Sequence, residues 1–130
     1  MRSSFLRNIL LWIGAGFFFF EAVLHFFGLP ILEHDVIFLS THDRYIALFA
    51  LTYAVLLFLI STDIQKYRTL FFLTMGGLFL AMLIASSIAF QGGYTLAFAT
   101  VSLDSDLRFL GIFFLLWYLA VLFTFFRKDL

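Results

Sequence analysis

Residues 9–29 read ILLWIGAGFFFFEAVLHFFGL. Apart from Glu21 and His25, every residue in the run is apolar or glycine. At about 1.5 Å per residue the stretch covers roughly 30 Å, the thickness of a bilayer's hydrocarbon core. Lipid offers no partner to a backbone amide, so a run without period-two alternation must bond to itself as a helix. The reading therefore predicts a membrane-spanning helix, and it poses a question. An ionisable pair four residues apart stands in a segment otherwise suited to lipid.

The start, MRSSFLRNILLWIGAGFFFF, combines basic residues with an apolar run, as a secretory signal does. No small-residue cleavage pattern follows it, so it is read as a retained span. Three further stretches, 44–61, 70–90 and 107–126, have comparable length and character. The 130 residues are 64% hydrophobic and only 12% charged, against about 25% charged in ordinary soluble domains. A soluble domain of this size exposes much of its surface and could not hide 21 phenylalanines. The expected fold is an all-α integral membrane protein, a four-transmembrane-helix bundle forming one domain over 1–130.

Charge sets the expected orientation. Arg2, Arg7, Lys66, Arg68, Arg127 and Lys128 fall on one side of the four spans, and only Arg44 and Arg108 on the other. By the positive-inside rule, both termini and the 61–68 turn (STDIQKYR) face the cytoplasm of a cell inner membrane. Glu33, Asp35, Asp43, Asp104 and Asp106 gather outside. The net charge is zero, and without a basic stripe there is no nucleic-acid partner to expect. The chain has no cysteine, which excludes disulfides, thiolate metal sites and thiol redox chemistry.

Small residues mark where helices approach each other. Gly77, Ala81, Ala85 and Ala89 recur every four residues in the third span, and Ala50 and Ala54 do so in the second. Such stripes let backbones come close where no water drives association. The second and fourth spans also open alike, HDRYIALFALTY against SDLRFLGIFFLLW. Carrying Arg44 onto Arg108 without gaps also pairs Gly28 with Gly92, Phe49 with Phe113, Leu51 with Leu115 and Tyr53 with Trp117. A duplicated two-helix unit would produce this pattern. Glu21 and His25 then correspond to Ala85 and Ala89, so the polar pair belongs to the first half alone.

Counting from Ile9, Glu21 lies roughly 18 Å into the membrane, past the midplane, with His25 one turn further out. The two share a helix face with Gly14, Phe17 and Gly28 on or near it. A charge at that depth costs a few kcal/mol even on lenient insertion scales, so it should face the bundle interior and have a partner. Arg44 and Arg108, each in the first turn of its helix, are the available cations, with Asp43 and Asp106 beside them. Three readings follow for a cluster of Glu21, His25, Arg44, Arg108 and Asp43. It is a satisfied internal network that fixes the packing, or an outward pocket for a small anionic or lipid ligand. The third is a metal site formed by Glu21, His25, His42 and Asp43, which the neighbouring arginines disfavour.

No cofactor is expected. Only His25 lies inside a span, which leaves a heme without a second axial ligand there, and His34 and His42 read as loop residues. Ser40 and Thr41, and Asp104 or Ser105, read as helix caps, and Gln91-Gly92-Gly93 as a helix stop and turn. There is no glycine-rich phosphate loop, nucleophile elbow or zinc-protease motif.

The whole chain resembles the small four-helix bacterial membrane proteins of the DoxX-like group, many of which have no known function. HDRYIALFALTYAVLLFLI and DSDLRFLGIFFLLWYLAVLF carry the likeness, each an acidic residue, an arginine, an aromatic and then a span. The resemblance implies a four-helix bundle and association with quinone-linked or redox complexes. The expected function is that of a non-catalytic membrane subunit or a small-ligand or lipid binder. Its partners are the lipid bilayer and either further copies of itself or a larger membrane complex. The alternative is a membrane enzyme or transporter that uses the cluster as a proton relay or metal site.

Overall fold

The computed structural model describes the backbone of residues 2–28, 40–90, 94–96, 99–101 and 105–127, and the side chains of 4–28, 44–84 and 111–127. Four helices account for nearly all of it: α1 (Arg2–Phe27), α2 (Ser40–Thr62), α3 (Arg68–Phe90) and α4 (Ser105–Phe126). Each begins a few residues before the expected span. Hydropathy reports where a helix becomes apolar, whereas the hydrogen-bonded ladder also includes its polar first turn. The α1 helix ends at Phe27 because Gly28 follows with φ +63, the left-handed conformation that closes a helix at low cost only in glycine.

Between α3 and α4 lies a small element that hydropathy does not announce. Strands β1 (Tyr94–Leu96) and β2 (Ala99–Val101) pair antiparallel, with Tyr94 opposite Val101 and Thr95 opposite Thr100. These are β-branched and aromatic residues that favour a pleated backbone, but three residues are too few to display a period. Gln91-Gly92-Gly93, the expected turn, lies outside the described residues.

Packing contacts show antiparallel neighbours. On α1 and α2, Trp12 donates its indole N–H to Ser61 at 2.8 Å, and Phe18 meets Tyr53 at a ring separation of 5.8 Å. On α3 and α4, Phe71 stacks on Phe125 at 4.3 Å, and the Tyr118 hydroxyl donates to the Met75 carbonyl at 2.9 Å. The α2–α3 connection is a tight turn in which Asp63 accepts the Lys66 amide at 3.0 Å. The result is an up-down-up-down bundle.

Its buried centre is formed by Leu11, Leu57, Ile60, Phe71, Met75, Leu78 and Val121. All seven lie toward the end that holds the chain termini and the α2–α3 turn. Alanines Ala15 and Ala22 on α1 and Ala47, Ala50 and Ala54 on α2 are buried, so the small-residue stripe expected on α2 does lie inward. Large apolar side chains cover the outside, among them Phe5, Trp12, Phe58 and Leu73. Two helical segments, Ser4–Phe27 and Arg44–Thr62, are long and apolar enough to cross a membrane, with mean hydropathy 1.9 and 2.1. The apolar segments Arg68–Ile84 and Gly111–Phe126 are shorter among the described residues.

Two glycines decide how closely the helices meet. A methyl group on Gly14 would overlap the indole of Trp117. With no side chain there, the ring lies against α1 and its N–H bonds the Leu10 carbonyl at 2.7 Å, using a lone pair that the helix ladder leaves over. A methyl group on Gly77 would overlap the Tyr53 hydroxyl, so this member of the α3 stripe receives α2.

Substituting either glycine by valine forces the aromatic ring away, at a cost of roughly 1–3 kcal/mol. Gly14→Val and Gly77→Val should each lower the thermal midpoint in detergent by several degrees. Gly16→Ala, where nothing lies within 4 Å, should not. A Gly14→Val protein that melts with the parent would contradict the Trp117 contact.

Candidate functional site

Helical periodicity divides α1 into three faces. Leu11, Ala15 and Ala22 are buried on the side where Gly14 meets Leu57 and Phe18 meets Tyr53, toward α2. Leu10, Gly14 and Phe18 also meet Trp117 and Phe114 of α4. Trp12, Ile13, Phe19, Phe20, Phe26 and Phe27 are exposed. Positions 14, 21 and 25 fall on one stripe of a 3.6-residue helix, so Glu21 and His25 continue the α4-facing stripe beyond the core.

Both are buried, at 8% and 3% exposure, and they are the only acidic or basic residues among the buried described ones. The other buried polar groups, Ser61, Thr74 and Thr124, are neutral hydroxyls. Ser61 and Thr124 bond to carbonyls of their own helices, Phe58 at 2.6 Å and Val121 at 2.9 Å. Nε2 of His25 stands 3.3 Å from Oε2 of Glu21. That is longer than the 2.7–2.9 Å or so of a tight charge-assisted bond. A carboxylate offers about four acceptor sites and an imidazole two nitrogens. Glu21 and His25 can hold a polar atom between them or pass a proton along the helix face.

A hollow of about 290 Å³ lies between α1 and α4, lined by Ile13, Gly14, Phe17, Phe18, Phe113, Phe114 and Trp117, with neither Glu21 nor His25 in its lining. Phe17 is one turn before Glu21, so the hollow continues the same stripe inward from the carboxylate. Its volume is close to the lower end for small-molecule sites, and its walls are almost wholly aromatic. Sequence reading placed Gly14 and Phe17 on this face but missed Trp117, whose signal was available. An indole N–H in an apolar chain needs an acceptor, and a backbone carbonyl beside a missing side chain, as Leu10 beside Gly14, supplies one.

The structure does not bring Arg44 to this site. Arg44 is exposed and lines a separate groove with Ala22, Val23, Phe26, Ala47 and Leu48. That groove lies on the outward side of the α1–α2 contact, well around the helix from Glu21. Of the expected cluster, Arg44 thus lines this groove and not the hollow toward α4. Counting helix turns gave its depth, but the side of α2 it occupies depends on which face meets α1. The side chains of Arg108, Asp43, His34 and His42 lie outside the described residues, and with them the rest of the expected cluster and two of the four metal ligands considered. Among the described residues no three His, Cys, Asp or Glu side chains converge on one point.

No family model, curated protein or solved structure matches the chain.

Removing one member of a buried pair strands the other, whereas removing both does not. Glu21→Ala and His25→Ala should each destabilise the detergent-solubilised protein by about 1–3 kcal/mol. The double variant should cost clearly less than their sum, with a coupling of at least ~0.5 kcal/mol. Strict additivity in a thermal or denaturant double-mutant cycle would mean that the two side chains do not interact.

Proposed function

We propose that the protein is a four-span membrane bundle, with both termini on the cytoplasmic side of a bacterial inner membrane, that acts as a non-catalytic subunit or binder of a small ligand. One observation carries the binding reading. The buried Glu21–His25 pair sits one turn beyond an aromatic-walled hollow of about 290 Å³. A ligand suited to it is small and largely apolar, with one polar end that exchanges hydrogen bonds with a carboxylate and an imidazole. The aromatic walls supply contact area without conformational freedom to lose, and the buried pair supplies orientation.

The membrane setting is supported by the two segments able to span a bilayer and by the apolar outer surface, since exposed apolar patches on soluble monomers are small. It is also supported by the basic residues. Lys66 packs over Tyr67 at 5.2 Å, Arg68 over Phe72 and Phe125 at 6.0 Å each, and Arg127 over Phe123 at 5.3 Å. All three lie at the termini end, as a belt of cations and aromatics does where protein leaves lipid for the cytoplasm.

The partner proposed for the pair is now Arg108. Phe18 meets Phe114 across α1 and α4. Continuing that antiparallel register by some six residues, about 9 Å, brings position 108 level with position 24, between Glu21 and His25. A duplicated two-helix origin fits the same picture. Trp117 on Gly14 and Tyr53 on Gly77 are equivalent contacts under the repeat to within one residue. Kinship with the DoxX-like group rests on the sequence resemblance already described and belongs to this proposal. The competing reading, proton relay or metal site, uses the same two side chains.

Native mass spectrometry of the detergent-purified protein tests the binding reading. A co-purifying small molecule should be present in the parent and lost in Glu21→Gln, with little change in thermal midpoint. Equal retention by both proteins refutes a ligand at the pair, and a stoichiometric metal would favour the competing reading. Topology is open to a clean test because the chain has no cysteine. Single cysteines at Ser3 and Gln65 should react with impermeant thiol reagents only from the cytoplasmic side, and one at Ser102 only from outside. Any other pattern overturns the four-span arrangement.

A further inference from the structure

The Arg44 groove is left unexplained by the binding reading, and its construction indicates an occupant. Ala22 on α1 and Ala47 on α2 are buried at the helix contact, where their size lets the backbones approach. Larger side chains stand up on either side, Phe19, Val23 and Phe26 from α1 and Leu48 and Leu51 from α2. A trough of about 270 Å³ results, with the alanines as its floor. It runs along α2 from Arg44 to Leu51, about 10 Å at 1.5 Å per residue, or roughly a third of the hydrocarbon thickness.

Arg44 is the only ionisable side chain in the trough lining. It is exposed, no carboxylate pairs with it among the described residues, and it stands at the first residue of the apolar segment Arg44–Thr62. The side chain of its neighbour Asp43 lies outside the described residues. In a bilayer the end of such a segment is the level of lipid phosphates, and the trough below it is at the level of the acyl chains. A guanidinium presents its donors in a planar fork that matches phosphate oxygens bidentately.

We infer that the α1–α2 trough is a binding site for an anionic glycerophospholipid of the outer leaflet. Its phosphate sits at Arg44, and the upper part of one acyl chain lies over Ala22 and Ala47. The site is distinct from the aromatic hollow that faces α4, and it rests on the membrane reading but not on any ligand at the Glu21–His25 pair. A zwitterionic lipid offers the same chain and phosphate but carries an ammonium that competes with Arg44 for the phosphate. Net negative charge is therefore the discriminating feature.

The test uses the full chain reconstituted from detergent into bilayer nanodiscs containing equal parts of phosphatidylglycerol and phosphatidylcholine. The disc lipid is then stripped, and the retained lipid is read by native mass spectrometry. The parent should retain one phosphatidylglycerol, enriched about fivefold over phosphatidylcholine, the factor that about 1 kcal/mol per basic residue at an anionic surface corresponds to. Arg44→Gln should abolish the enrichment and Arg44→Lys should keep part of it. Leu48→Trp, which fills the trough, should reduce retention of both lipids. Millimolar inorganic phosphate should not displace the lipid. Equal retention of the two lipids by the parent overturns the proposal without recourse to any variant. So does unchanged enrichment in Arg44→Gln, and so does displacement by free phosphate, which would make the chain contact irrelevant. A chain that remains soluble without detergent and does not insert would overturn this proposal and the membrane reading together. Insertion without lipid selectivity would overturn this one alone.

Discussion

The position of α4 on α1 depends on the absence of a side chain at Gly14. Trp117 fills the space a β-carbon would take, and its N–H reaches the Leu10 carbonyl one turn below. This contact sets both the separation and the register of the two helices. Phe114 is thereby brought onto Phe18, the aromatic hollow opens beside them, and α4 is directed toward the level of Glu21. The equivalent device on the other side of the bundle, Tyr53 over Gly77, holds α2 against α3. Aromatic rings laid on glycines do here what interlocking aliphatic side chains do in a soluble core.

The two ends of the molecule differ as a consequence. At the termini end the interior is closed by Leu11, Leu57, Phe71 and Val121, and the buried hydroxyls of Ser61 and Thr124 bond to carbonyls of their own helices. These two hydroxyls have short local partners and help to hold the structure. At the opposite end the buried polar groups among the described residues are a carboxylate and an imidazole, which change charge with a proton. An interior that only needed filling would be served by apolar side chains. This difference is the physical ground for proposing a site at this end.

Two concavities flank α1, and their chemistry separates them. The hollow toward α4 has mostly aromatic walls, and the buried acid and base follow Phe17 one turn on along α1. The trough beside α2 has aliphatic and phenyl walls and ends at an exposed cation. Sequence reading merged them, because Glu21, His25 and Arg44 all lie in the same half of the bundle. Depth follows from counting residues along a helix, at about 1.5 Å each. Facing direction does not follow from counting, and the two sites lie on different sides of one helix.

The amino-acid sequence alone determined that the chain forms long apolar helices, roughly where each begins and ends, and that Glu21 and His25 share one face. These properties follow from local rules, the length of apolar runs and the 3.6-residue period. It also pointed to Ala50, Ala54 and Gly77 as places of close approach. Tertiary structure alone decided that Arg44 stands apart from the pair, that Trp117 closes on Gly14, and that the aromatic hollow exists. In a chain 64% hydrophobic, inner and outer faces are both apolar, so hydropathy carries little information about which face turns inward. The amphipathic contrast that orients a helix in a soluble protein is weak here, and the choice falls to the few positions where one side chain is missing and another fits.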